Sequence, residues 1–471
     1  MDVFALVSVN KLIPVNNRQI FRLLWPILIE QALSSFVGLA DMIVVSHVGD
    51  AAVSAVGLVD SVNILLINVF SAIAAGATVI VSQRAGQNDR EGIFKTIGQA
   101  SFVIVCIMLT VSALAMTFST NIFDALYPGV ASDVRANGLI YFRITAFNYA
   151  LIALYATLAG SMRGQGDVRT PMRISLMINF VNVTLNVVFT YVFHMGVAGI
   201  AFATMIGWAS GALVMVYLTI RRNTRRIFSL SNIRPQKNIL FPVFRIGLPS
   251  GLDSLLFHCG KIITQVFLSG MGTHNIAGMV IAGSMFGLFC IPGNSFAIAV
   301  TTLVGQNYGA GLYRTARRML LRCIVLATAF MSVISLGAYW VVPFLVSLYK
   351  PTASAAPVAI QILRLYLVMI PLFWPVAFIT SSGLRAVSDV VYSTTVSVSS
   401  MWTMRVGCAW VLGVYFNLGP FGIALAMGLD WIVRGMFYIP RILTLKRLKE
   451  DQPDKKPTFA HDMEEIEVPA H

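Results

Sequence analysis

Runs of about 20 consecutive apolar residues, separated by short polar connections, recur along nearly the whole chain. Each is long enough to cross a hydrocarbon core roughly 30 Å thick as an α-helix. Twelve spans are predicted, near residues 21–46, 53–82, 97–120, 138–160, 172–193, 197–220, 241–270, 275–304, 319–349, 358–383, 390–416 and 420–444. Pro26, Pro249, Pro292, Pro371 and Pro375 lie inside these runs. Neighbouring helices and polar side chains can satisfy the carbonyls a proline frees, so these residues predict kinks, not ends.

Composition leaves no room for a water-soluble fold. Of 471 residues, 57% are hydrophobic and 11% charged, against about 25% charged in soluble domains, and the mean hydropathy is +0.77. Residues Met1 to Ile20 carry Lys11 and Arg18 but no distinct apolar core ending at a small-residue site, so no cleavable signal peptide is expected. Cys106, Cys259, Cys290, Cys323 and Cys408 fall inside apolar runs without CxxC spacing and read as small core hydrophobes, not a disulfide frame or metal site.

The formal charge of +14 raises nucleic acid as a partner, but the basic residues form short clusters between apolar runs, which suits anionic lipid headgroups instead. With the amino terminus inside, the inner connections hold Lys11, Arg18 and Arg22; Arg84, Arg90 and Lys95; Arg163, Arg169 and Arg173; the basic stretch from Arg221 to Arg245; Arg314, Arg317, Arg318 and Arg322; and Arg385. The outer ones hold little beyond Arg135 and Lys350. By the positive-inside rule both termini are cytoplasmic. Residues 446–471 are charged, poor in apolar side chains and expected to be disordered.

The chain also repeats itself. At an offset of 223, Trp25-Pro26 and Glu30 fall on Leu248-Pro249 and Asp253, Gly49 on Gly272, Gln83 on Gln306, Gly86 on Gly309, and Gly196 and Gly199 on Gly419 and Gly422. With one residue of slippage, Arg163 falls on Arg385 and Asp167 on Asp389. The expected fold is therefore an all-α integral membrane protein of twelve transmembrane helices in two pseudo-symmetric six-helix lobes. Because each half has an even number of spans, the repeat is parallel. The expected divisions are an amino-terminal lobe (1–220), a cytoplasmic linker (221–240), a carboxy-terminal lobe (241–445) and the tail (446–471).

The residues that repeat resemble the MATE (multidrug and toxic compound extrusion) family, within the wider group that includes polysaccharide and lipid-intermediate flippases. The likeness covers roughly residues 18–445 and rests on Pro26, Asp41 and Gly49, on TVIVSQRAGQND (78–89), GSMRGQGDVRTP (160–171) and GVAGIAFAT (196–204), and on their copies in the second half. It implies alternating access between two lobes and export coupled to entry of protons or sodium.

Acids inside a membrane cost about 2.5–3.5 kcal/mol on insertion scales and usually face a wet cavity or a partner. Asp41 is the leading candidate, although it could also be an interfacial residue at a span end. Glu30, eleven residues earlier, projects from nearly the same face; it is either a second member of the site or a residue bonded in a helix contact. The fifth span carries Asn179, Asn182, Asn186 and Thr190 on one stripe, suited to a cavity or to hydrogen bonds between helices. By resemblance to the DinF-type branch, Asp41, Asn182, Asn186 and Thr204 form a cation-coupling site, with Tyr141 a neighbour. Those relatives often carry Asp where position 186 is Asn. Losing that carboxylate favours protons over sodium, since an amide can still hydrogen-bond a titrating Asp41.

The second half places Asp253, His258, Lys261, Arg364 and Arg405 inside spans, a set that could line an anion-attracting cavity or pair across helices. His258 is either a satisfied buried histidine or a proton relay. Asp430 and Arg434, at i and i+4, are expected to form a structural ion pair. The sequence carries no HExxH, P-loop or nucleophile motif with the right flanks. With what the resemblance implies, the expectation is a monomeric multidrug and toxic-compound antiporter in the bacterial inner membrane, without metal or cofactor, that exchanges small organic cations for protons, or alternatively for sodium. A flippase for lipid-linked or polyanionic substrates is the alternative, and a non-transporting receptor or enzyme comes third.

Overall fold

The computed structural model describes residues 17–223, 232 and 234–445; the expected tail and much of the expected linker lie outside the described residues. Among them there are twelve helical rods and no strand. They are α1 (Asn17–Ser46), α2 (Asp50–Gly86), α3 (Arg90–Thr117), α4 (Ser132–Phe147 and Tyr149–Gly164), α5 (Arg169–Val187, continued by a π turn Val188–Val192) and α6 (Gly196–Asn223). The second half follows with α7 (Lys237–Ser269), α8 (Thr273–Phe289 and Ile291–Gly309) and α9 (Tyr313–Ser347). Then come α10 (Ala355–Trp374, a π turn Pro375–Ile379, Thr380–Ala386), α11 (Val390–Ser400, then π turns Met401–Gly407 and Trp410–Tyr415) and α12 (Gly419–Thr444). A short helix, Ser119–Leu126, joins α3 to α4.

Nine of these helices are long and apolar enough to cross a membrane singly, and two bent pairs bring the number to eleven. The twelfth rod is α11, which its π turns interrupt. On α9, Val333, Leu336, Trp340 and Phe344 form an exposed apolar stripe at helical spacing, a face suited to lipid.

The prolines do not end the rods, and a bend accompanies one of them. Pro26, Pro249 and Pro371 sit within continuous helix. Pro292 opens the second part of α8 after a bend of 42°, and Pro375 opens a π turn. The equal bend in α4 has no proline. There Ser112 of α3 donates to the Ala146 carbonyl at 2.8 Å, while the Asn148 N–H turns back to the Thr145 carbonyl at 3.0 Å. A side chain inserted into the helical ladder is a recognised cause of such a bend.

The repeat is written into the backbone as well. The left-handed positions Gly49, Asn88, His194 and Gly196 recur 223 residues later as Gly272, Gly311, Asn417 and Gly419, and Gly166 answers Ser388 one residue out of step. These are helix-terminating turns, where Gly and Asn tolerate a conformation that other side chains resist.

The chain divides into two compact units. Among the described residues one unit contains 29–251, and the other contains 17–28 with 252–445. Their membership therefore changes inside α1 and α7. Contacts within each unit account for this: Ile20 and Leu24 belong to the same buried cluster as Val300, Val304 and Tyr308, while a Cβ on Gly76 of α2 would collide with the Val243 carbonyl of α7. In the first unit, α4 also approaches α2 closely, since a Cβ on Gly164 would lie 2.9 Å from the Thr78 carbonyl oxygen. Small residues spaced by four allow such contacts between membrane helices.

Candidate functional site

In the unit containing residues 29–251, four of the predicted residues form one hydrogen-bonded chain. The Asn186 amide donates to Asp41 Oδ1 at 2.6 Å and to Asn182 Oδ1 at 3.3 Å, and the Asn182 amide donates to Thr204 Oγ1 at 3.2 Å. The i, i+4 spacing on α5 stacks the two asparagines on one face, so α5 bridges α1 and α6. Asn186 is fully buried and its Oδ1 has no partner among the described residues.

Asn179 makes none of these bonds, and its Nδ2 is buried without a partner. Thr190 is also outside the chain: it falls in the π turn Val188–Val192, where the wider winding carries it off the α-helical stripe, and its hydroxyl is unpartnered. Glu30, although on a face similar to that of Asp41, belongs elsewhere. Arg163, near the end of α4, donates to its two carboxylate oxygens at 2.9 and 3.2 Å.

Tyr141 leads to a residue that the sequence reading missed. Its hydroxyl donates at 3.2 Å to Oδ1 of Asp60, on α2, which also accepts from Asn63 Nδ2 at 3.2 Å. Asn63 is itself held by Tyr149, whose hydroxyl donates to Oδ1 at 2.6 Å, and lies 3.3 Å from Thr145 Oγ1. The available signals were Asp60 and Asn63 at i and i+3 inside a predicted span, and Tyr141, Thr145 and Tyr149 at intervals of four on α4. Asp41 and Asp60 lie within electrostatic reach of each other. Neither has an ion-pair partner among the described residues, and no group of three or more His, Cys, Asp or Glu side chains there could hold a metal.

The five residues predicted for the second half take part in several separate contacts. Arg405 binds Asp430 through Nε at 3.1 Å and Nη2 at 2.9 Å, so of the two alternatives it pairs across helices. Arg434 donates to the same carboxylate at 2.8 Å, giving the expected i, i+4 pair, and to Ser397 Oγ at 2.7 Å. Ser397 in turn donates to Asp253 at 2.6 Å, and Arg385 lies 3.8 Å from that carboxylate. Acids and guanidiniums thus alternate from Arg405 to Arg385. Lys261 is exposed, Arg364 lies over the Tyr339 ring at 5.5 Å, and His258 packs edge-on against Phe257.

Glu30–Arg163 and Asp253–Arg385 occupy matching positions of the two halves, so the repeat carries the same acid–arginine contact twice. The halves diverge beyond it. Among the described residues, the first holds two carboxylates without cations, and the second neutralises its buried Asp430 with two arginines.

A MatE family model matches residues 26–192 and 249–411, one stretch in each half. The “Probable multidrug resistance protein NorM” of Thermotoga maritima is 25% identical over 459 residues, covering 93% of this chain and 97% of that protein. The Acinetobacter baylyi protein of the same name is 28% identical over 430 residues, covering 87% and 92%. Among solved structures, a MOP superfamily transporter from Pyrococcus furiosus aligns with a TM-score of 0.84 at 23% identity, over 91% of this chain and 96% of that one, a likeness of fold.

Proposed function

Because the chain belongs to the MatE family, we propose that it is a multidrug exporter that moves small organic cations outward in exchange for protons by alternating access. Asp41 carries this reading: it is an intramembrane carboxylate with no cationic partner among the described residues, held at one oxygen by a buried amide. The same amide can serve both protonation states. Nδ2 donates to the carboxylate, and the amide turned over presents Oδ1 to a protonated carboxyl.

Protons are favoured over sodium because Asn186 supplies a neutral amide, donating to Asp41, where a second carboxylate would give sodium an anionic oxygen. The Asp430 partnership of Arg405 removes one of the cations on which a flippase for anionic lipids would draw. The charge asymmetry of the connections supports an inner-membrane protein with both termini cytoplasmic, acting as a monomer.

Asp41 must prefer its proton differently in the outward-open and inward-open states, since a ligand shifts an equilibrium only by its differential affinity. Each unit of pH gradient supplies about 1.4 kcal/mol per proton. The test uses inverted vesicles containing the native protein or Asp41→Asn. Collapse of an imposed pH gradient by cationic dyes is expected with the native protein alone, without a sodium requirement. Equal behaviour of the two would remove Asp41 from the mechanism.

A further inference from the structure

We propose that Asp60 is a second coupling carboxylate, so that the amino-terminal unit takes up two protons for each monovalent organic cation it releases. This rests on the exporter reading and adds its stoichiometry.

The geometry around the two acids is alike. Asp41 Oδ1 accepts from the Asn186 amide, and Asp60 Oδ1 accepts from the Asn63 amide and the Tyr141 hydroxyl. In each, the described residues give Oδ2 no hydrogen-bond partner, so one oxygen orients the group and the other is open to a proton. Asn186, fully buried with its own Oδ1 unpartnered, sits directly on the Asp41 carboxylate. Tyr141 is buried and bonded to Asp60, and it lies within the field of Asp41, so the two acids are neighbours.

No cation among the described residues relieves this pair. Of the titratable groups on elements packed against α2, Tyr141 and Tyr149 of α4 face Asp60, and Asp41 lies on α1. Arg143 of α4 is turned to Ser119 and Thr120, and His47 of α1 to the Ile43 carbonyl. On α3, Glu91 and Lys95 pair with each other at its first turn; on α6, Arg221 stacks on Tyr217 near its last. Arg245 of α7 accompanies the Gly76 end of α2, several helical turns away.

Two like charges so placed titrate as a coupled pair, and a single organic cation neutralises only one of them. As that cation leaves, each carboxylate takes a proton on its open oxygen. Both protons are surrendered on the cytoplasmic side when the next cation binds. Two charges enter for one that leaves, so the cycle moves one net positive charge inward.

The experiment counts protons released when tetraphenylphosphonium or ethidium binds the purified full-length protein in weak buffer, then measures cation accumulation in proteoliposomes at set potentials. Two protons per cation are expected, with the accumulation ratio changing about tenfold for each 59 mV, the factor for one net charge. Asp60→Asn is expected to release one proton and to accumulate cations independently of potential, while Asp60→Glu restores both behaviours. One proton per cation in the native protein, or an unchanged count in Asp60→Asn, overturns the proposal and leaves the exporter standing. The native count decides even if the asparagine variant does not fold. Absence of cation accumulation by the native protein under any gradient overturns the exporter reading itself.

Discussion

Asp430→Asn is expected to unfold the unit containing residues 252–445 well before the rest of the chain. Asp430 is fully buried and accepts from Ser400, Arg405 and Arg434, the last two themselves buried. An asparagine keeps the shape but leaves two guanidiniums without their counter-charge. Breaking a buried ion pair from one side costs about 3–5 kcal/mol. At about 2–4 °C per kcal/mol for a unit of this size, the melting temperature should fall by roughly 6–20 °C. Cys290 and Cys323 are buried in that unit, whereas Cys106 is exposed and Cys259 and Cys408 are partly so. With the last three replaced by serine, a fluorogenic maleimide reports opening through Cys290 and Cys323 alone. The triple substitution Asp430→Leu with Arg405→Met and Arg434→Met should melt close to the native protein, because apolar substitutes of similar volume avoid the desolvation cost. A melting temperature for Asp430→Asn within about 2 °C of native would refute the reasoning, since it would mean that the charge contributes less than about 1 kcal/mol.

Three further outcomes follow from other ion pairs. Glu30→Gln and Arg163→Gln, which break a mostly buried pair, should each destabilise the protein by about 3 kcal/mol, and a double-mutant cycle should return a coupling of about 1–3 kcal/mol. The longer and more exposed Asp253–Arg385 contact should return less than about 1 kcal/mol in the same thermal assay. In the connection between α3 and α4, the bidentate hydrogen bond from Arg135 holds the Asp124 carboxyl below its ordinary range. A depressed folded value means that the pair's contribution is fully present above the unfolded pKa and is lost as pH falls through the folded one. Asp124→Asn should therefore differ from native in a melting curve at neutral pH and converge with it in strong acid; divergence that grows on acidification would contradict this sign.

Spans were legible because a bilayer demands length and apolarity of every helix, and the offset of 223 because both halves need left-handed turns at the same places. Asn182 and Asn186 were legible for a different reason, since amides at i and i+4 on an apolar helix must face a partner, and Thr204 was legible only through the family resemblance. Other features were hidden. The bend at Asn148 depends on Ser112, a serine on another helix that looks like any other small residue in an apolar run. Thr190 leaves the stripe because a π turn breaks the α-helical period on which the stripe is counted. Asp60 gives little signal because one of its two partners, Tyr141, is on α4, distant in sequence and inconspicuous among other aromatic residues. Arg405 has no acid nearby in sequence, and its counter-charge comes from α12, where Asp430 already has Arg434 as its local partner.

The change of unit membership inside α1 and α7 has a consequence for biosynthesis. Residues 17–28 pack with residues made only in the second half of translation, and the unit containing 29–251 is incomplete until the beginning of α7 has been made. The amino-terminal segment must therefore wait in the membrane, its native neighbours not yet synthesised, while most of the chain is inserted. A nascent chain arrested before α8 would lack most of the buried cluster to which Ile20 and Leu24 belong, Val300, Val304 and Tyr308 among it. Those two side chains should then be open to lipid, insertion chaperones or cross-linkers that the finished protein excludes.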